Sequence, residues 1–167
     1  MISWRIRIKI TTIMLALILL AMIIGYTQEI SSDDAVRLYK EALNYDEKLR
    51  SAGDVETTIL NFFTDFAPIV IVSNIPFAGP VTVLFISFNA GYTIKAEYIA
   101  TGHNALYTSL SESVVIVQLL ALAIAGGEGL LQSYLVYRRM KADLFDSLAV
   151  ITLEVSLAVL SAVLEAV

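Results

Sequence analysis

Three acidic residues lie well inside apolar stretches of this chain, away from their ends: Asp65, Glu128 and Glu154. A carboxylate surrounded by hydrocarbon is costly, so such groups face protein or water and mark proton relays, cation paths or hydrogen-bonded helix contacts. Neutral polar residues accompany them. Asn61 lies four residues before Asp65 on the same helical face, Asn89 falls in another stretch, and Gln118 and Gln132 flank Glu128. Two chemistries fit this set. In one, the acids line a route for protons or a cationic solute. In the other, they are hydrogen-bonded partners that hold helices in register, and the residues favour this structural reading. With no Lys or Arg read inside the stretches, desolvation is expected to leave the acids partly protonated. No run of carbonyl-donating residues suggests a selectivity filter, and no inverted repeat of the kind many transporters carry is evident.

Enzymatic chemistry has little to draw on. The chain has no cysteine and a single histidine, His103, in the loop-like Thr101-Gly102-His103-Asn104. No metal site, cofactor site or histidine-based triad is expected. No second aspartate lies deep inside a stretch to form an aspartyl pair with Asp65. Gly126-Gly127-Glu128-Gly129 lacks the strand-then-helix setting of a phosphate loop and reads as helix packing. A net charge of −5 offers no general basic surface for nucleic acid.

The elements carrying these residues are apolar runs. Hydrophobic residues make up 57% of 167, against about 45–50% in ordinary soluble domains; lipid accounts for the excess better than a protein core. The runs are Ile10–Tyr26, Thr57–Asn74, Val81–Ile94, Tyr107–Tyr137 and Leu144–Val167. About 20 residues are needed to cross a bilayer. The first, fourth and fifth suffice; the second and third are short and interrupted by Pro68 and by Pro76-Phe77-Ala78-Gly79-Pro80. They are tilted spans or a broken, re-entrant pair shielded by other helices. A secretory signal peptide is the rival for the first run, but its core is long and no small-x-small cleavage site follows. The reading is a retained helix.

The expectation is therefore an all-α polytopic bundle of about five spans. Residues 1–26 form an N-terminal transmembrane helix, 27–55 an extracytoplasmic amphipathic helix and linker, and 56–167 a four-helix membrane core. Arg5, Arg7 and Lys9 precede the first run, and Arg138, Arg139 and Lys141 follow the fourth. With five spans both clusters fall on one side, so the positive-inside rule places the N-terminus in the cytoplasm and the C-terminus outside the cell membrane. Residues 29–56 and 95–112 then lie outside. Ser31 and Asp34 resemble a capping box, and Ala35, Leu38, Ala42, Tyr45 and Leu49 recur at helical spacing. This helix either packs over the outer mouth of its own bundle or docks a partner.

Packing is legible too. Gln118, Ala121, Ala125, Gly129 and Gln132 form one stripe, bordered by Glu128; Ser147, Glu154, Ala158, Ser161 and Glu165 form a similar seam. Small residues at such spacing let helices approach closely, and the amides can hydrogen-bond across. The two seams face each other, or one faces a second copy of the chain.

In order and spacing, several segments are similar to one family. They are Ile59-Leu60-Asn61-Phe62, then Asn74-Ile75-Pro76-Phe77-Ala78-Gly79-Pro80, then Phe88-Asn89-Ala90-Gly91-Tyr92, and finally Gln118-x-x-Ala121-x-x-x-Ala125-x-x-Glu128-Gly129. From Glu56 to Val167 the chain resembles the stage II sporulation protein M family of integral membrane proteins, particularly its archaeal members. Ser113-Val114-Val115 stands where many bacterial members have Pro-His-Gly, and Gln118 replaces the family's glutamate. The resemblance implies a helical membrane domain of about five spans without enzymatic chemistry, and a mode of action as a small scaffold that recruits or regulates membrane partners. The sporulation role of bacterial relatives does not transfer. The partners expected are the bilayer and a membrane protein or a second copy; the alternative is a small transporter or channel subunit using Asp65, Glu128 and Glu154.

Overall fold

A computed structural model describes residues 4–51, 53–103, 105–141 and 144–166. The first three residues, Asn104 of the His103 loop and Val167 at the end of the fifth run lie outside the described residues. Among the described residues seven helices follow one another: α1 (Trp4–Tyr26), α2 (Ser32–Arg50), α3 (Val55–Ser73), α4 (Ala78–Thr101), α5 (Ala105–Ser111), α6 (Ser113–Tyr137) and α7 (Leu144–Ala166). No strand occurs among the described residues. Four helices are long and apolar enough to cross a membrane: α1, α3, α6 and α7 from Phe145. The chain is an all-α bundle of multi-pass membrane type. The fifth expected span, α4, is long at 24 residues, but it is not among these four.

Several boundaries move from those read in the sequence. The first helix begins at Trp4, before the apolar run, so Arg5, Arg7 and Lys9 lie on helix α1 rather than ahead of it. The third run extends at both ends into α4, taking Lys95 into the helix. The long fourth run is two helices: at Glu112 the backbone turns extended (φ −72°, ψ 131°) and starts α6 afresh. Short polar side chains act where helices begin. Ser31 caps α2, its hydroxyl accepting from the Asp34 amide at 3.2 Å, and Asp54 caps α3, accepting from the Thr57 amide at 2.8 Å.

The bundle has lipid-type packing. Its fully buried positions are small or polar as often as large: Ala121, Ala123, Ala125 and Ala158 at 0%, with Ser73, Ser161 and Glu154 at 0–1%. Large apolar side chains point outward instead, including Ile13, Leu17, Leu20 and Ile23 of α1 and Leu148, Leu153, Val159 and Leu164 of α7. A water-soluble fold would bury such residues. Helix α6 is the hub, with half of its apolar window buried against 22–28% for the other three spans.

Two contacts set the arrangement around it. Helices α1 and α4 run parallel with their backbones touching. A Cβ on Gly25 would lie 2.0 Å from the Phe88 carbonyl oxygen, and one on Gly91 would lie 2.0 Å from that of Met22; only glycine allows this approach. Helices α3 and α4 meet in one tight turn. The Ala78 amide donates to the Pro76 carbonyl at 2.7 Å, and Phe77 between them sits at φ 64°, ψ −48°, a γ-turn of the strained positive-φ kind. Ser133 of α6 holds it, its hydroxyl accepting from the Phe77 amide at 2.7 Å. Ser133 lies four residues from the end of α6, so the turn meets that helix roughly 6 Å before its end at 1.5 Å per residue. The Gly/Pro-rich interruption is thus a single tight turn between two continuous helices, its Ile75, Phe77 and Ala78 side chains exposed, and Pro68 is accommodated within α3.

Candidate functional site

The polar residues collect at two levels of the bundle. The first lies toward the end where α1 begins. Arg7 is one turn into α1, on the same face as Thr11, Met14 and Ile18, and it points inward. Its guanidinium donates to Glu128 of α6, with the two side chains 7% and 4% exposed. Its other terminal nitrogen lies 3.8 Å from Asp146 in the first turn of α7. Around Glu128, Gln132 donates to the carboxylate at 2.8 Å and to the Ser147 hydroxyl at 2.9 Å. Ser147 in turn lies 3.1 Å from the same carboxylate oxygen. Three helices are tied at one point, and only Arg7 Nε has no partner among the described residues.

This corrects the expectation of intramembrane acids without a base. By its place before the apolar run Arg7 marks a membrane side; in the structure it is the counter-charge of Glu128. The missed signal was periodicity, because counting back from Ile18 by helical steps through Met14 and Thr11 reaches Arg7.

Glu154 sits deeper in the same level, fully buried. Asn74, which closes α3, donates to it at 2.5 Å and to the Val70 carbonyl at 3.1 Å. The other carboxyl oxygen and the Asn74 amide oxygen have no partner among the described residues. Asn74 is a second polar partner that the apolar pattern did not single out.

The second level lies at the opposite end, beneath α2. Gln118 of α6 donates to Glu165 of α7 at 3.0 Å. With the Gln132–Ser147 contact at the other end, this lays the α6 stripe and the α7 seam against each other along their length. Ala121, Ala125 and Ala158 are fully buried between these contacts, and a Cβ on Gly129 would meet the Ser73 carbonyl at 2.5 Å. Asp65 is not beside a mid-membrane partner as its run position implied. It accepts from the Tyr45 hydroxyl of α2, and that bond, burial and the carboxylate's charge together raise the phenol's pKa. Asn61 donates to the Leu49 carbonyl at 3.0 Å, and Arg50 to the Glu165 carbonyl at 2.8 Å. These bonds pin α2 to the bundle. Asn89 does not join either level: it is exposed and donates back to Phe85 of its own helix at 2.7 Å.

Between the levels lies an apolar layer. Val70, Ala121 and Ala125 pack with Phe66 and Leu157, next to a second cluster of Met14, Ile18, Met22, Val83, Leu122 and Ala123. Above it, α2 roofs an open cleft of about 480 Å³ lined by Tyr45, Asp65, Phe66, Gln118, Leu122 and Glu165 among others. A smaller crevice of about 220 Å³ runs beside Arg7 between α1, α6 and α7, with largely apolar walls. Among the described residues no group of three His, Cys, Asp or Glu is placed to hold a metal ion.

No family model matches this chain, and neither a curated protein nor a solved structure matches it.

Proposed function

We propose that this protein is a non-enzymatic membrane scaffold that assembles with a membrane partner, and that its buried acids hold the helices together rather than conduct. One observation carries the reading: the close-packed layer of Val70, Ala121, Ala125 and Leu157 separates the carboxylates at the two levels. A proton or cation path needs polar groups or water across that layer. Each of these acids also has a partner within the bundle, Asp65 in Tyr45, Glu128 in Arg7, Glu154 in Asn74 and Glu165 in Gln118. In this reading α2, tied down but exposed along most of its length, is the surface offered to the partner. The basic residues near the start of α1 and after α6 support a cytoplasmic N-terminus and an extracytoplasmic C-terminus, provided α4 also spans. The segments resembling the stage II sporulation protein M family support the same mode of action, with Gln118 and Ser113-Val114-Val115 as departures.

The test is reconstitution into liposomes beside purification in mild detergent. The expected result is no proton or cation flux above empty liposomes, with a co-purifying membrane protein that is lost when residues 31–50 are deleted. Flux that disappears in Glu128→Gln or Glu154→Gln would instead establish the transporter or channel reading.

A further inference from the structure

We propose that the cleft beneath α2 is a binding site for a hydrophobic organic cation. This goes beyond the scaffold reading and does not depend on it. The cleft's volume of about 480 Å³ falls within the about 300–1,000 Å³ of small-molecule sites. Its walls are mainly apolar, built by Met22 of α1, Phe62, Phe66 and Ile69 of α3, Ile94 of α4 and Leu119 of α6. A hydrated metal ion would gain nothing from such walls, whereas an aromatic or alkyl body would be desolvated by them.

The charge around the cleft selects the sign. The described residues lining it include three acids, Asp46, Asp65 and Glu165, and no Lys, Arg or His. Asp46 is answered by Arg50 at 2.9 Å. Asp65 and Glu165 have neutral hydrogen-bond partners, the Tyr45 hydroxyl and the Gln118 amide. Two carboxylates, one on α3 and one on α7, thus border an apolar cleft with neutral side-chain partners, and the neighbouring Arg50 is taken up by Asp46 and the Glu165 backbone carbonyl. Low-dielectric walls strengthen their field inside it. An anionic or phosphate-bearing molecule is repelled there, and a neutral one leaves the acids unanswered. The Tyr45 and Phe66 rings add faces that attract cations, as the Phe62 ring already attracts the Arg50 guanidinium at 5.2 Å.

Tetraphenylphosphonium and tetraphenylborate test this, being ions of one shape and opposite charge. Binding is measured by equilibrium dialysis to the full chain in phosphatidylcholine nanodiscs, with empty nanodiscs subtracted. Saturable one-to-one binding of the phosphonium is expected, with the borate at least about tenfold weaker. Asp65→Asn and Glu165→Gln should each weaken phosphonium binding by about fivefold or more. Ala90→Trp, at an exposed position on the cleft wall, should block it. Unchanged melting of these variants shows that the loss is not unfolding. Equal saturable binding of the two ions, no saturable binding of the phosphonium, or affinity indifferent to both carboxylate substitutions would overturn the proposal.

Discussion

Removing the guanidinium of Arg7 gives the sharpest test of the bundle's energetics. Arg7→Met keeps much of the side chain's length and apolar stem but leaves Glu128, 4% exposed, without its cation. Asp146, 19% exposed, loses its neighbour at the same time. At 4 Å and an effective dielectric near 20, one such charge pair is worth about 4 kcal/mol. Breaking a buried pair by deleting one partner costs about 3–5 kcal/mol in measured cases, because the remaining charge is stranded. Arg7→Met and Glu128→Leu should therefore each destabilise by about 3–5 kcal/mol. In the double variant the buried Glu128 charge is gone as well, though the more exposed Asp146 still loses Arg7 and Gln132 and Ser147 lose an acceptor worth about 1 kcal/mol each. The double variant should be no worse than either single, leaving a coupling of about 3 kcal/mol or more. The assay is reversible unfolding in mixed micelles titrated with dodecyl sulfate and followed by helical circular dichroism. If the two single losses simply add in the double variant, the ion pair is not what fastens α1 to α6.

Three further outcomes follow from the same structure. Gly91→Ala forces a Cβ to within 2.0 Å of the Met22 carbonyl, and the overpacking should cost about 1–3 kcal/mol or more, read as a lowered melting midpoint in detergent. Ser31→Ala should cost about 1 kcal/mol of α2 stability through loss of its cap, read as faster amide exchange in the first turn of α2. Asp54 is held below its usual carboxylate pKa by hydrogen bonds from Thr57. Its capping contribution is therefore present above the unfolded carboxylate pKa and is lost as pH falls through the lower folded value; Asp54→Asn should flatten this acid dependence of exchange at the start of α3.

Much of this architecture is readable in the residues, and the rest fails for physical reasons. The α6 stripe and α7 seam are visible because small and polar side chains recur at helical spacing, and Gln118–Glu165 and Gln132–Ser147 occupy their two ends. The cap at Ser31 is equally local. Arg7 escaped because a charge before an apolar run normally stays in water; here a distant carboxylate draws it inward. The break at Glu112 escaped because hydropathy does not register a change of backbone direction. Asn89 misled because a polar residue can satisfy itself on its own helix, and its bond to Phe85 does so. Asn74 and Tyr45 act across elements, and spacing along the chain carries no record of such contacts.

The separation of Arg7 from Glu128 by 121 positions also dictates an order of events at the ribosome. At about 5–20 residues per second, the arginine must wait roughly 6–24 s for its carboxylate to be made. Until then the guanidinium has no Glu128 to pair with, so the fastening of α1 to α6 is a late step that a nascent chain halted before Glu128 never reaches.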